Sequence, residues 1–234
     1  MRKYAIILAA GRGTRMKDSN PKCTIDFFGK TIIERIVEEC EINNFDEIVV
    51  VVGYKQDIVR NILKNRVTYI VQEKQLGTAN AVLSCKKHFE DKGGICVIIP
   101  GDMPLIDGRT LYKLMKVHYM TNSSLTILST FIKKNSTYGR VFRVEGYLKK
   151  IIEYKDATDD ERKIEEVNSG IYCINTMLLF KELSKTDLEN DSSFKEFIPL
   201  IHYILNGEFP NNLNCILTHF NSYGNFIIRD FYIF

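Results

Sequence analysis

Two glycines and two arginines crowd the segment Leu8-Ala-Ala-Gly-Arg-Gly-Thr-Arg-Met16, and a proline–lysine pair, Pro21-Lys22, follows it. Glycine and other small residues let a backbone approach a bound anion closely, with successive N–H groups turned toward it. Arg12 and Arg15 bring a charge that persists at physiological pH and a forked donor geometry suited to phosphate. Lys22 adds a compact cation after the same loop. The chemistry open to this set is binding and polarising phosphate groups. Other phosphate loops are excluded: G-x-x-x-x-G-K-[ST] is absent, and Met16 stands where a dinucleotide fingerprint needs its third glycine.

Further groups stand along the chain. Gly101-Asp102-Met-Pro104 follows the apolar run Ile95–Ile99. One carboxylate there can hold Mg2+ when substrate phosphates and waters complete the octahedron. Gln72 follows another apolar run, and its amide can pair with a pyrimidine edge. An amide can turn over, so Gln72 alone fits the O4/N3–H face of uracil or the N4–H/N3 face of cytosine. Gly77 and its backbone would share that choice. Glu153 and Asn168 are polar residues at strand ends; read singly, Glu153 suits an ion pair with Lys149 or Lys150, and Asn168 a turn.

The elements that must position these groups follow from hydrophobic periodicity. Tyr4–Ala9 reads as a buried strand, and Glu47–Val52, Val67–Val71 and Ile95–Ile99 as further strands. Thr31–Ile42, Gln56–Leu63, Ala79–His88 and Arg109–Tyr119 read as helices between or after them. Strand–helix alternation with apolar strands predicts a parallel sheet covered on both faces, with ligands beyond the carboxyl ends of the strands. The chemistry is therefore expected just after Ala9, Val71 and Ile99. The second half changes character. Ser124–Phe131, Arg140–Val144, Leu148–Glu153 and Glu166–Ile174 read as partly antiparallel strands, followed by helices near Thr176–Leu183 and Phe194–Leu205. The expected plan is one α/β domain, with a nucleotide-binding half at 1–122 and a half for the second substrate at 123–234.

Composition narrows the class. The 234 residues are 45% hydrophobic and 26% charged, with a net charge of +3. That suits one folded domain with a full core, and so mild an excess of positive charge calls for no nucleic-acid partner. The six cysteines are dispersed without a C-x-x-C pair and read as buried, reduced thiols. The four histidines lack zinc-ligand spacing. No run reaches membrane-spanning length, and the apolar stretch after Met1-Arg-Lys is too short for a signal peptide. The expected compartment is the cytoplasm.

The run Leu8–Met16 with Pro21-Lys22 resembles the signature of the sugar-phosphate nucleotidyltransferases, L-A-A-G-x-G-T-R-M followed by P-K. Gln72-Glu-Lys-Gln-Leu-Gly-Thr-Ala79 is similar to their base-holding segment, and Gly101-Asp102-Met-Pro104 to their metal-binding G-D-x-P. Tyr138-Gly139-Arg140, Glu153-Tyr-Lys-Asp-Ala-Thr158 and Asn168-Ser-Gly-Ile-Tyr172 then narrow the likeness. In this order they resemble the uridylyltransferase domain of the bacterial bifunctional N-acetylglucosamine-1-phosphate uridylyltransferase/acetyltransferases. The likeness runs well from Lys3 to Tyr172.

This resemblance implies a Rossmann-like nucleotidyltransferase fold, with a mixed, mostly parallel sheet flanked by helices. It implies UTP and N-acetylglucosamine-1-phosphate as substrates and Mg2+ as cofactor. Arg15, Lys22 and Asp102 would be catalytic, and Asp102 and Asn221 would hold the metal, with Asn225 competing for the second place. Leu8, Ala9, Ala10, Gly11, Lys22, Gln72, Gly77, Thr78, Gly101, Gly139, Glu153, Asn168 and Asn221 would bind substrate. CTP or dTTP with another phosphorylated acceptor is the alternative within the fold; a non-catalytic nucleotide-sugar sensor is the alternative outside catalysis. The chain departs from the pattern at Pro100, where an aromatic residue is frequent, at Asn80, where histidine is common, and at Phe220-Asn221-Ser222, which lacks the expected arginine. No hexapeptide repeat is present, so neither a left-handed β-helix nor acetyltransferase activity is expected.

Overall fold

The computed structural model describes residues 1–11, 20–132, 136–144, 147–184, 216–220 and 226–227. Four strands run in parallel: β1 (Lys3–Leu8), β2 (Glu47–Val52), β3 (Thr68–Val71) and β4 (Ile95–Pro100). Their sequences, KYAIIL, EIVVVV, TYIV and ICVIIP, are rich in β-branched residues, which suit a pleated surface packed on both faces. Alternation divides them between two cores. Ile6, Val49, Val51 and Ile98 face one side with Ala79, Val82, Phe89 and Phe180. Ala5, Ile7, Val50 and Val97 face the other with Ile33, Ile36, Leu111 and Leu114.

The helices are α1 (Ile32–Ile42), α2 (Gln56–Leu63), α3 (Thr78–Leu83), α4 (Lys86–Phe89) and α5 (Gly108–Met120). Helix α1 starts in a capping box: Thr31 accepts from the Glu34 N–H, and the Glu34 carboxylate accepts from the Thr31 N–H, which satisfies two donors the helix itself leaves over. Helix α5 starts on the Asp107 side chain, which accepts from Thr110 N. The stretch Ala79–His88 is not the single helix that its periodicity predicts. It divides into α3 and α4 where Cys85 N–H turns to the Val82 carbonyl at 2.9 Å and Ser84 Oγ bonds back to the Asn80 carbonyl at 3.0 Å. Such tightened turns and back-bonding hydroxyls end a regular α ladder without changing the hydrophobic pattern.

The later elements are β5 (Leu125–Phe131), β6 (Arg140–Val144), β7 (Tyr147–Ile152), α6 (Asp159–Arg162), β8 (Glu166–Asn175), α7 (Thr176–Leu183), β9 (Ile216–Phe220) and β10 (Phe226–Ile227). The sheet order is β10-β9-β5-β8-β4-β1-β2-β3, with the β6–β7 hairpin attached through β8. The sheet is therefore mixed, and six of the eight strands on this path, β8 and β10 being the exceptions, point the same way. Strand β8 lies antiparallel between β4 and β5, so one sheet joins both parts of the chain. The helix expected near Phe194–Leu205 lies outside the described residues. Among those described, no helix is long and apolar enough to cross a membrane.

Candidate active site

The carboxyl ends of β1 and β4 meet in a hollow of about 170 Å3 lined by Leu8, Ala9, Gly11, Lys22, Cys23, Gly101 and Asp102. Six of these seven are site residues expected from the sequence. The close approach is made possible by Gly101. Its N–H donates to the Leu8 carbonyl at 2.9 Å, and a Cβ there would lie 2.6 Å from that oxygen. Lys22 opens a single 3-10 turn, Lys22–Thr24. Thr24 ties that turn to the Pro21 carbonyl through its N–H at 2.9 Å and its Oγ1 at 2.7 Å. The backbone carrying the lysine is thus fixed before any ligand arrives. Gly11 and Asp102 are exposed at the mouth, and a Cβ on Gly11 would meet nothing within 4 Å.

Sequence reasoning missed Cys23, which forms part of the wall. Burial pushes its thiol up to about 12, and the Asp102 carboxylate adds to the rise. A thiol so protonated is no nucleophile at neutral pH. Neither described histidine with a placed side chain serves the hollow. His88 bonds Glu47, the first residue of β2, at 2.6 Å. His118 is buried on α5 against Thr126 at 2.8 Å. A larger hollow of about 630 Å3 lies at the amino ends of β2 and β3. Its wall sets Glu41, Asp46 and Glu47 against Arg66, and that guanidinium is already paired with Glu41 at 2.7 Å, which is ill suited to phosphate.

The end of β2 also enters the site, a contribution the sequence reading did not include. Tyr54 N–H donates to the Ala10 carbonyl at 3.2 Å, and Gln72 N–H to the Val52 carbonyl at 2.8 Å. A Cβ on Gly53 would stand 3.0 Å from both Ala10 Cβ and the Ala10 oxygen. The loop after β1 and the segment after β3 therefore press against the same glycine. The signal was available, because Gly53 directly follows an apolar strand.

Gln72 is buried, at 5% exposure. Its Nε2 donates to the Gly77 carbonyl at 3.1 Å and to Asn80 Oδ1 at 2.9 Å. Gly77 has φ +113°, a conformation open to glycine, and this turn aims its carbonyl at Gln72. Thr78 begins α3 directly after it. A backbone carbonyl only accepts, so the Nε2 end must face it, which removes the ambiguity that the amide leaves in the sequence. Among the described residues Oε1 has no hydrogen-bond partner. It is not sealed off either, since the one buried side-chain oxygen or nitrogen without a partner among them is Thr176 Oγ1.

The second-half motifs reach the same edge through β8. Its register against β5 slips between Leu128 and Ser129, pairing Leu128 with Ile171 and Ser129 with Asn168. Ser169 and Gly170 are thus extruded as a bulge. Bulges re-aim side chains beside functional sites. Asn168 Oδ1 accepts from Gly170 N–H at 3.1 Å, its Nδ2 donates to Tyr172 Oη at 2.6 Å, and its own N–H donates to the Gly139 carbonyl at 2.9 Å. Asn168 is therefore a turn former here, whatever else it binds. Gly170 has φ +82°, and a Cβ on it would be 3.2 Å from Pro100 Cγ. This places the bulge against the residue that leads into Gly101-Asp102.

Next to Gly139 stands Arg140, a buried guanidinium whose role the sequence does not reveal. It donates to the Ser136 carbonyl at 2.8 Å, the Tyr138 carbonyl at 3.2 Å and the Arg162 carbonyl at 3.2 Å. It also lies 5.3 Å over the Tyr154 ring. Glu153 sits half-buried at the end of β7. Of its two candidate partners, Lys150 pairs with Glu161 at 3.0 Å. Arg12, Arg15, Asn221 and Asn225 lie outside the described residues.

The MobA-like NTP transferase domain family matches residues 5–139, more than half of the chain, and the chain belongs to this family. It is 38% identical over 190 residues to the bifunctional protein GlmU of Listeria monocytogenes serotype 4a (strain HCC23), and equally so to that of serovar 1/2a (strain ATCC BAA-679 / EGD-e). Each match covers 81% of this chain and 42% of the relative, so the chain spans less than half the length of these proteins. A solved structure assigned as a glucose-1-phosphate thymidylyltransferase from Bacillus anthracis aligns with TM-score 0.75 over 94% of this chain and 87% of that one. At 19% identity that likeness shows a shared nucleotidyltransferase fold.

Proposed function

We propose that this chain transfers a uridylyl group from UTP to N-acetylglucosamine-1-phosphate, giving UDP-N-acetylglucosamine and pyrophosphate. The observation that carries the reading is the single hollow in which Lys22 and Asp102 meet the Leu8–Gly11 backbone at the strand ends. The oxygen of the sugar phosphate is already an anion near neutral pH, since a phosphate monoester has a second pKa near 6. It attacks the α-phosphorus in line, the bond to the bridging oxygen breaks, and pyrophosphate leaves with the electron pair. No general base is required. What the site must supply is charge that brings two polyanions together. Lys22, the loop N–H groups and Arg15 are assigned to that work.

The residues present also fit Mg2+. Asp102 is an exposed carboxylate at the hollow. Among the described residues no three His, Cys, Asp or Glu side chains form a cage, as suits an ion that keeps waters and takes phosphate oxygens. Asp102, with Asn221 as its proposed companion, would hold it, and the ion would supply charge neutralisation on the phosphates. Gln72 Oε1 is left to accept from N3–H of uracil, while Glu153, Asn168 and Gly139 are assigned to the sugar side.

The test is release of pyrophosphate from UTP, N-acetylglucosamine-1-phosphate and Mg2+, with CTP, dTTP and glucose-1-phosphate in parallel. Fast release with UTP and the N-acetylated sugar is expected. Release with a different pair replaces the substrate assignment, and silence across the panel overturns the catalytic reading.

A further inference from the structure

Asn80 is not among the expected substrate-binding residues, yet it is hydrogen-bonded to one of them, Gln72. Its Oδ1 takes one of the two N–H groups of Gln72, at 2.9 Å, while the Gly77 carbonyl takes the other at 3.1 Å. The two acceptors differ in kind. A carbonyl can never become a donor, whereas the Asn80 amide can turn and offer Nδ2 instead. Among the described residues no hydrogen bond to Asn80 Nδ2 opposes such a turn. If Gln72 reversed to present its N–H groups outward, Gly77 would oppose it and Asn80 could turn with it.

Outward Oε1 meets a nucleobase with a ring N–H, such as uracil or thymine. Outward Nε2 meets one whose ring nitrogen is an acceptor, such as cytosine. We propose that Asn80 is a positioning residue that sets how strictly the base subsite separates these two classes. Its amide leaves the Gly77 carbonyl as the sole fixed determinant and makes discrimination moderate. The inference rests on the nucleotidyl-transfer reading only in taking Gln72 as the residue that meets the base.

The consequence is specific. An acceptor-only side chain at this place would oppose reversal as Gly77 does, and a donor-only one would favour it. Replacing a hydrogen bond with facing acceptors changes the balance about tenfold. Any added charge acts on all triphosphates alike and cancels in a ratio of affinities.

Calorimetry with Mg2+ would give Kd for UTP, dTTP and CTP in the wild type, Asn80→Asp and Asn80→Lys, with folding checked by thermal melts. The wild type is expected to prefer UTP and dTTP over CTP. In Asn80→Asp the CTP:UTP Kd ratio should rise about tenfold, and in Asn80→Lys it should fall about tenfold. The dTTP:UTP ratio should stay within twofold in both, since these bases share the N3–H. Where turnover is measurable, kcat with UTP should stay within twofold, so that the change lies in KM. An unmoved CTP:UTP ratio in either folded variant overturns the inference, as does equal binding of UTP and CTP by the wild type. If wild-type turnover is absent while the ratios shift as stated, the inference stands and the catalytic reading fails.

Discussion

Gly101→Ala offers the sharpest test of how the hollow is built. The added Cβ would stand 2.6 Å from the Leu8 carbonyl oxygen and 3.3 Å from Ala9 Cα. Both are backbone atoms, so no side chain can swing aside. The oxygen must recede about 0.4 Å to reach 3.0 Å and about 0.8 Å to reach ordinary contact near 3.4 Å. The Gly101 N–H bond to the same oxygen would lengthen as it does. Overpacking of this size costs about 1–3 kcal/mol of stability. If carried into the spacing of Asp102 and Lys22, a displacement of that size approaches the roughly 1 Å misplacement that can cost about 100-fold in rate. The expected result is a kcat/KM for pyrophosphate release lowered about 10- to 100-fold, with a Tm several degrees down. Gly93→Ala is the control, because nothing lies within 4 Å of its Cβ, and it should alter neither. Gly11→Ala also meets nothing, but faces the space assigned to phosphate, so it should keep Tm and lose activity. Wild-type kcat/KM in Gly101→Ala would refute the claim that the β1–β4 junction sets the spacing of the proposed catalytic groups Lys22 and Asp102.

Lys22→Ala and Asp102→Asn should each lower turnover about a hundredfold or more while leaving thermal melts unchanged; normal kcat in either one removes it from the catalytic assignment. His118 yields a pH dependence. Burial lowers its pKa from 6.5 to about 4, so between these values the unfolded chain binds a proton that the native one does not. Its contribution is complete above pH 6.5 and is lost as pH falls toward 4, by about 3 kcal/mol in all. Melts of the wild type and His118→Gln from pH 7.5 to 4.5 should show the variant with a shallower fall, and parallel curves would contradict this. Glu166 is 6% exposed and accepts from Arg143 at 2.8 Å and Ser129 at 2.7 Å. Glu166→Ala should cost about 2–3 kcal/mol by denaturant titration, less than a fully buried pair because Arg143 keeps some solvent contact.

Strands β1 to β8 and most helices could be read from the chain because apolar runs such as Glu47–Val52 and the spacing of Ile32, Ile33, Ile36 and Val37 admit one period each, whereas the short α6, β9 and β10 were not expected. The break between α3 and α4 could not, since it depends on how Cys85 N–H and Ser84 Oγ choose among nearby carbonyls. That Leu8, Lys22 and Asp102 gather at one hollow was legible from motif and strand-end position. The sense of the Gln72 amide was not, because the φ of Gly77 sets it. The same holds for Asn168: its letter in the sequence fits a sugar ligand and a turn former alike, and only the register slip against Ser129 shows the turn. Contacts between distant segments, such as Arg140 with the Arg162 carbonyl, leave no local signature.

The placement of β8 between β4 and β5 bears on how the chain is made. A ribosome delivers β4 and β5 well before β8, and until then both carry an unpaired edge on strongly apolar sequence, ICVIIP and LTILSTF. At about 5–20 residues per second, the stretch from Phe131 to Asn175 takes roughly two to nine seconds to synthesise. For that interval the nascent sheet is open at its centre rather than at its rim, the arrangement most prone to pairing with a neighbouring chain. Yield on overexpression should therefore respond to translation speed and to chaperone supply more than to substitutions on the exposed helices. A truncation ending before Glu166 would make that transient state permanent.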